Sequence, residues 1–211
     1  MKTWYFTTHR PIIEDEIIRK IPDATGIYTV IKPIKILQHP GMRYVLRVKP
    51  IGTISTDPAI VQSEKMEVLW TIDAFEVIHE FGCRMAEDAL ALLKDVDPRY
   101  KAGIKAKRDW VNGEITTIQL FLAWVPVANA AWPWNSDLDH TIGYCVRSVL
   151  EPDANISAHG AMALSIKAQR LHLAQQGEVP PPESYYLDKA NKRLSLMLQS
   201  EYRKLSKIGR L

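Results

Sequence analysis

The sequence predicts an α+β protein: a small mixed N-terminal β-sheet domain, followed by an all-α helical bundle and a terminal basic amphipathic helix. Three observations predict this class. Short aromatic and β-branched runs, separated by turn residues, fill the first seventy residues, as strands do. From Asp73 onward, apolar residues recur at helical spacing. A Pro-rich run, Val179-Pro180-Pro181-Pro182, then predicts a stiff extended linker. The predicted segments are therefore 1–72, 73–177, 178–183 and 184–211.

The predicted sheet domain contains six short strands with turns between them. The strands are expected over 4–8, 26–31, 44–48, 52–55, 59–62 and 68–72. Pro11 can open a short helix, because the isoleucines that follow it up to residue 21 have a partial 3.6-residue period. One or two helical turns are expected over 33–38. The turns are predicted at 39–41, 50–52 and 57–58, where Pro, Gly and Asp occur.

The helix predicted over Asp73–Leu93 marks the change from strands to helices. Asp73 is suited to cap its N-terminus, and Glu76 three residues later forms a capping-box variant. Its apolar residues form one stripe along the helix. The stripe consists of Val77, Phe81, Met85, Ala89 and Leu92.

Five further helices are predicted from their terminal residues and their apolar periodicity. One begins at Asp97-Pro98 and ends at Asn112-Gly113. The next begins at Thr116 or Thr117 and carries Leu120, Phe121 and Trp124, with Pro126 as a kink or stop. Two more are expected over 137–150 and 155–176. The last begins at Ser184 and has an apolar side made of Leu187, Ala190, Leu194, Leu198 and Leu205.

Composition limits the class of protein. The chain has 211 residues, of which 46% are hydrophobic and 24% charged, as in globular domains with a substantial core. No apolar run approaches the roughly 20 residues that span a bilayer, so no membrane association is expected. The N-terminus has no signal-peptide pattern, and two cysteines, Cys83 and Cys145, are too few for a disulfide framework. A cytoplasmic location is therefore predicted.

The chain's most suggestive polar cluster lies in the first predicted helix, in the run His79-Glu80-Phe81-Gly82-Cys83. His79 and Cys83 are one helical turn apart, a spacing that a metal can use, but the second histidine of the HExxH zinc motif is missing. His79 also adjoins the apolar stripe, which favours a core histidine. Glu80 and Glu87 lie mainly off the stripe, which favours a solvated face. The sequence has no phosphate-binding loop, GxSxG or CxxC motif. We therefore predict no metal, no cofactor and no catalytic residue, and favour a protein that is not an enzyme.

Two surfaces are candidates for partner binding. Trp124, Trp132 and Trp134 cluster next to prolines, where they could be exposed anchors for a partner or could pack between helices. The terminal helix offers a basic face, because residues 183–211 carry seven basic and three acidic residues, a net charge of +4. Its candidate contacts are Lys192, Arg193, Arg203, Lys204 and Lys207. This face could meet an acidic partner. Nucleic acid is not favoured, because no aromatic stacking set accompanies the basic residues beyond Tyr202. The apolar side of the helix could pack on the body or form a homodimer with a second copy.

Short matches between Gly26 and Leu173 resemble an uncharacterised family found in phage and bacterial genomes. The matching residues are Gly26-Ile27-Tyr28, Pro33-Ile34, Val48 to Gly52, and Phe81 to Glu87. From Arg108 onward the chain is also similar to domains described as immunity proteins of bacterial toxin systems. The resemblance implies a non-enzymatic binding protein of phage or mobile-element origin. Such a protein would inhibit or occlude a host defence protein or a toxin by direct contact.

A fainter likeness suggests an alternative function for the N-terminal domain. It is similar to a trimmed ADP-ribosyltransferase-type sheet, in which an early His or Arg and a GxY-type strand precede a late catalytic Glu. His9 and Tyr28 match the first two positions, whereas Glu64 and Glu67 lie in no recognisable motif. This likeness implies a nucleotide-binding or transferase-like protein with His9 and Tyr28 near the ligand. A virion or assembly component is a third interpretation that the composition leaves open.

Overall fold

A computed structural model describes residues 4–8, 17–19, 27–30, 32–56, 60–130 and 136–208 of the chain. The described residues form strands at the N-terminus and helices after them, which confirms the predicted α+β class. The chain divides into two compact units. Unit 1 comprises Met1–Val77 and Asn191–Leu211, and unit 2 comprises Ile78–Ala190. These units differ from the predicted segments, because the boundaries fall inside the first and the last long helix.

Unit 1 contains a five-stranded sheet. Its strands are β1 (Trp4–Thr8), β2 (Ile17–Arg19), β3 (Ile27–Val30), β4 (Tyr44–Thr56) and β5 (Ile60–Asp73). The order is β2-β5-β3-β1-β4, and β4 pairs with β5 as well, so the pairing forms a closed circuit. Every pairing between the described strands is antiparallel, so the prediction of a mixed sheet was wrong in this respect.

The strands are longer and fewer than the sequence predicts. The turn predicted at 50–52 was wrong, because β4 runs through it and stays paired with β5. Gly52 has a φ of 65° in this strand, and the register shifts between Thr53 and Ser55. A glycine at positive φ therefore lets the strand continue through an irregularity that resembles a turn in the sequence. The turn predicted at 57–58 lies outside the described residues.

The short helix predicted after Pro11 was wrong over residues 17–19, which form β2. Ile17, Ile18 and Arg19 pair with Glu67, Met66 and Lys65 of β5. The rest of that predicted helix lies outside the described residues. Hydrogen bonding to a neighbouring strand outweighs a weak local helical period, because propensity is only a weak prior. The helical turns predicted over 33–38 are confirmed as a 3₁₀ helix, Pro33–Gln38.

A small core of alternating residues lies between β4 and β5. Leu46 and Val48 of β4 pack with Met66 and Val68 of β5, and all four are fully buried. Successive residues of a strand point to opposite faces, so alternate positions enter this core. Tyr44 packs against it from the start of β4.

Six α-helices follow the sheet: α1 (Phe75–Leu90), α2 (Pro98–Val111), α3 (Thr117–Ala130), α4 (Asp137–Val149), α5 (Ala154–Gln175) and α6 (Glu183–Lys207). Asp97, Ser136 and Asp153 cap α2, α4 and α5 by accepting backbone N–H groups. The cap at Asp97 confirms the predicted start of α2. Pro126 does not end α3, which continues to Ala130.

The C-terminal part of α6 belongs to unit 1 and packs on the sheet. The Tyr5 hydroxyl lies 3.2 Å from Ser195 Oγ. The Trp70 ring of β5 stacks on Tyr202 with centroids 5.2 Å apart. Leu194 and Leu198 are fully buried in the same unit. The middle of the predicted apolar stripe, Leu194 and Leu198, is therefore buried in unit 1, whereas Leu187 and Leu205 are half-buried. The homodimer stays a prediction.

Unit 2 is a bundle in which α2 packs on α3 and α4, and α4 packs on α5. Backbones approach closely at Gly103 of α2, where an added Cβ would lie 2.6 Å from Val127 Cγ2 of α3. The predicted apolar stripe of α1 is buried from Val77 to Ala89, whereas Leu92 lies beyond the end of the helix. None of the helices in the described ranges is long and apolar enough to cross a membrane.

Candidate functional site

The most unusual surface of unit 2 is one side of α3. Ile118, Phe121, Leu122 and Val125 recur at i, i+3, i+4 and i+7, so they share one helix face. Their exposed fractions are 74%, 63%, 60% and 40%. Leu120 and Val127 lie on the opposite side and are buried. We call the four exposed residues the α3 apolar face. α3 contains no charged residue, and apolar side chains lie both on its buried side and on this exposed face.

Aromatic rings and a cation border the α3 apolar face. Phe121 stacks on Trp124 with ring centroids 6.2 Å apart and planes 4° from parallel. The Arg147 guanidinium of α4 lies 4.5 Å from the Trp124 centroid and 5.3 Å from that of Tyr144. A guanidinium over aromatic faces is held by cation–π attraction, which leaves its N–H groups at the ring edges. The surface therefore combines exposed apolar side chains with a positioned cation.

A buried polar cluster lies where α1 meets α2. His79 contacts the Trp110 ring edge-on, with centroids 5.4 Å apart. Lys107 Nζ lies 4.3 Å from the same ring and donates a hydrogen bond to the Glu151 carbonyl at 2.6 Å. His79, Lys107 and Cys83 are almost completely buried. The pattern that resembled a metal motif thus places its histidine against an aromatic ring in the core, as the structural interpretation predicted.

Burial shifts the pKa values of this cluster away from the charged forms. Desolvation, with a smaller effect of the Lys107 charge, lowers the pKa of His79 to about 3. Desolvation lowers the pKa of Lys107 to about 7 and raises that of Cys83 to about 12. The imidazole is therefore neutral and the thiol protonated at neutral pH. A neutral amine can act as a nucleophile only if a substrate reaches it, and Lys107 has no exposed surface.

Arg108 organises the charged residues beside this cluster. It donates to Glu80 at 2.8 Å and to Glu87 at 2.5 Å, and Arg84 donates to Glu80 at 2.9 Å. These hydrogen bonds outweigh the burial of Glu80 and hold its pKa below the ordinary value. The hydrogen bonds that Arg108 donates to Glu87 and Glu80 raise the pKa of Arg108. The predicted solvated face was therefore wrong for Glu80, which is half-buried in an ion-pair network. Two carboxylates bound to guanidinium groups are poor acid–base catalysts.

Two open grooves lie in unit 2, and neither reaches the buried cluster. One of about 490 Å³ is lined by residues of α1, α2 and the segment between them. Its lining is part apolar and part charged, and the charged residues are Glu87, Lys101, Lys105 and Arg108. The other, of about 470 Å³, runs along α5 and includes Lys167 and Arg170. His79, Cys83 and Lys107 line neither groove. Neither groove therefore brings a substrate to the buried cluster.

The residues predicted to bind a partner fall into several environments. Trp124 is half-buried and stacked, whereas Trp132 and Trp134 lie outside the described residues. On α6, all the predicted basic residues are exposed except Arg193, which is half-buried. Lys192, Arg203 and Lys207 share one side of α6 with the exposed Leu196, whereas Lys204 lies 3.4 Å from Glu201.

The residues of the nucleotide-binding alternative are only partly described. His9 lies outside the described residues. Tyr28 lies in β3, where its backbone pairs with Gln62, and its side chain is also outside them. Glu64 is exposed, and Glu67 pairs with Lys49 at 3.1 Å. This alternative stays a prediction.

Sequence reasoning missed the α3 apolar face and Arg147. It grouped Phe121 with Leu120 and Trp124 as one helical pattern, although Leu120 and Phe121 point to opposite sides. One signal was available, because residues 117–130 contain no charged side chain. An uncharged helix with apolar residues on more than one side is either buried on those sides or presents an apolar surface to a partner. Only the packing on α2 and α4 decides between the two.

Across the described part of the chain, no three His, Cys, Asp or Glu side chains converge as metal ligands would. Comparisons with protein-family models, curated proteins and solved structures found no match to this chain. The candidate site is therefore argued from its own geometry.

Proposed function

We propose that this chain is a non-enzymatic binding protein that docks another protein on the α3 apolar face. The exposure of Ile118, Phe121, Leu122 and Val125 on one side of an uncharged helix carries the proposal. Contiguous apolar patches are uncommon on the surfaces of monomeric proteins because they lose favourable burial in water. A partner that covers this face would recover that burial.

The border of the face supports the same function. Aromatic residues and arginine dominate the energetic centres of protein interfaces, and Trp124, Tyr144 and Arg147 lie beside the exposed side chains. The amphipathic helix-in-groove mode of recognition uses anchors at i, i+3, i+4 and i+7, the spacing found on α3. The polar cluster of α1 and α2, by contrast, is buried and neutralised. These features together favour binding over catalysis.

The proposed partner is a host defence protein or a toxin, which the bound chain would occlude. This part of the proposal rests on the resemblance to phage and immunity-like families described above. Direct contact is sufficient for such inhibition, so no catalytic residue is needed.

Partner capture with matched variants tests the proposal. Purified chain serves as bait in wild-type form, as Ile118→Asp, and as Ile156→Asp, which changes an equally apolar exposed position on α5. A recovered protein is then purified and titrated against all three by calorimetry. We expect the wild type and Ile156→Asp to bind with similar affinity and Ile118→Asp to bind at least tenfold more weakly. Equal binding by all three would remove the α3 apolar face from the function.

A further inference from the structure

The α3 apolar face has a charged edge that limits which partners fit it. Arg147 lies in the last turn of α4, and its guanidinium is positioned by Trp124 and Tyr144 at 4.5 and 5.3 Å. Tyr144 and Arg147 are three residues apart on α4, so they project from the same side of that helix. Trp124 in turn stacks on Phe121 of the face. The cation and the apolar side chains therefore form one continuous surface.

Arg147 has no carboxylate partner among the residues that the structure describes. The neighbouring arginines of unit 2 differ from it in this respect: Arg84, Arg99, Arg108 and Arg170 each lie within ion-pairing distance of Asp or Glu. Cation–π contact with the two rings holds the guanidinium in place but satisfies none of its N–H donors with an oxygen acceptor. A planar guanidinium held in this way is suited to bind a carboxylate through two parallel hydrogen bonds.

On this basis, and assuming the proposed docking function, we propose that the partner presents an amphipathic helix whose apolar stripe covers the α3 apolar face and whose flanking Asp or Glu pairs with Arg147. The spacing of the four apolar residues matches the stripe of a facing helix. The unpaired cation supplies the charge complementarity, because an acidic flank would be favoured and a basic flank repelled.

A second copy of this chain fits the surface less well. Residues 117–130 contain no Asp or Glu, so α3 packed on α3 of another copy would bring no carboxylate of that helix to Arg147. Such pairing would cover the apolar residues, and α3 itself would offer no carboxylate to the cation. The charge of the edge therefore favours a different protein with an acidic helix.

A displayed peptide library tests this inference. Peptides of about 20 residues, long enough to form a helix, carry a fixed Leu/Phe stripe at i, i+3, i+4 and i+7 with randomised flanks. The library is selected against the wild-type chain, Ile118→Asp and Arg147→Glu. Lys167→Glu, an exposed position on α5, is the control with the same change in net charge. Circular dichroism and the melting temperature verify that each variant is folded.

In peptides selected against the wild type or Lys167→Glu, we expect Asp or Glu to be enriched at one flanking position. In peptides selected against Arg147→Glu, Lys or Arg should replace them at that position. By fluorescence anisotropy, a selected acidic peptide should bind the wild type roughly fivefold more tightly than its Glu→Gln version. Arg147→Gln should remove that difference. Binders that need Ile118 but show no acidic preference would overturn the inference and leave the docking function standing. If no binder depends on Ile118, both the inference and the docking function fail.

Discussion

Lys107 Nζ donates a hydrogen bond of 2.6 Å to the carbonyl oxygen of Glu151, directly after the C-terminal end of α4. The last carbonyls of a helix lack partners within it and carry partial negative charge. A lysine of α2 therefore binds a backbone carbonyl just beyond the C-cap of α4, close to this negative end of the helix, while its Nζ faces the Trp110 ring. This interaction ties two helices of unit 2 together in its interior.

The first prediction concerns the pH dependence that Lys107 confers. Its pKa falls from 10.5 in the unfolded chain to about 7 in the folded one, so between these values the unfolded chain binds more protons. Stability should therefore rise with pH from about 7 towards 10.5, by at most about 1.4 kcal/mol per pH unit. Below pH 7 the cost of burying the charge is fully present.

Urea unfolding at pH 7, 8 and 9 measures this slope, with Lys107→Met as the variant. The wild type should gain stability relative to Lys107→Met as the pH rises. Lys101→Met, an exposed lysine on the same helix, is the control and should give curves parallel to the wild type. If the free energy of unfolding of Lys107→Met changed with pH as that of the wild type does, Lys107 would not be the source of the pH dependence.

The second prediction concerns acid destabilisation through His79. The folded-state pKa of about 3 lies below the ordinary 6.5, because burial disfavours the imidazolium. Between pH 3 and 6.5 the unfolded chain again binds more protons than the folded chain. The contribution of a neutral His79 is therefore complete above pH 6.5 and is lost as the pH falls towards 3, by at most about 1.4 kcal/mol per unit.

His79→Phe should lose less stability than the wild type between pH 6.5 and 4.5, although it can be less stable at pH 7 because the fit to Trp110 changes. His159→Gln, at an exposed position on α5, should follow the wild type throughout. Unfolding monitored by Trp fluorescence at several pH values checks this. An acid sensitivity unchanged by His79→Phe would show that another group causes it.

The third prediction concerns the close approach of α2 and α3 at Gly103. Alanine normally stabilises a helix interior relative to glycine by about 1 kcal/mol. Here the added Cβ would lie 2.6 Å from Val127 Cγ2, which is too close for contact without movement. Gly103→Ala should therefore destabilise unit 2 by about 1–3 kcal/mol.

A double-mutant cycle identifies the clash as the cause. Val127→Ala alone should be destabilising because it leaves a cavity. The double mutant with Gly103→Ala should be destabilised by less than the sum of the two single-mutant effects, because the smaller side chain makes room for the added Cβ. Thermal melts of the four proteins give the coupling. Simple additivity would mean that the helices do not meet at this pair.

The fourth prediction concerns Arg108 as a bridge between α1 and α2. Arg108→Ala removes the hydrogen bonds to Glu80 and Glu87 and leaves both carboxylates close together, so we expect a loss of about 1–2 kcal/mol. Arg108→Lys should recover less than half, because one ammonium cannot span both carboxylates with paired hydrogen bonds.

Lys105→Ala provides a matched comparison on the same helix. Lys105 pairs with Asp109 in an exposed i, i+4 arrangement, where water screens the charges, so its loss should cost much less than that of Arg108. Chemical denaturation at low and high salt measures both effects. If Arg108→Ala lowers the free energy of unfolding no more than Lys105→Ala does, the ion-pair network of Arg108 does not stabilise the contact between α1 and α2.

The sequence by itself determined the class of the fold and most helix ends. Asp97 caps α2 and Gly113 follows its C-terminal end at a φ of 76°, as predicted, because capping and positive φ depend on local chemistry. The burial of Val77, Phe81, Met85 and Ala89 likewise followed from their spacing. These are interactions within a few residues of each other, which one sequence contains in full.

Only the tertiary structure decided which apolar surfaces are covered. Leu194 and Leu198 of α6 are buried in unit 1, whereas the face of α3 with Ile118 and Phe121 stays exposed, although both helices carry apolar residues at helical spacing. The tertiary structure also brings Arg147 of α4 to Trp124 of α3, and Lys107 to Glu151. The two members of each pair are far apart along the chain. Burial and pairing across such separations depend on how the helices pack, and that packing is a property of the whole chain rather than of any local pattern.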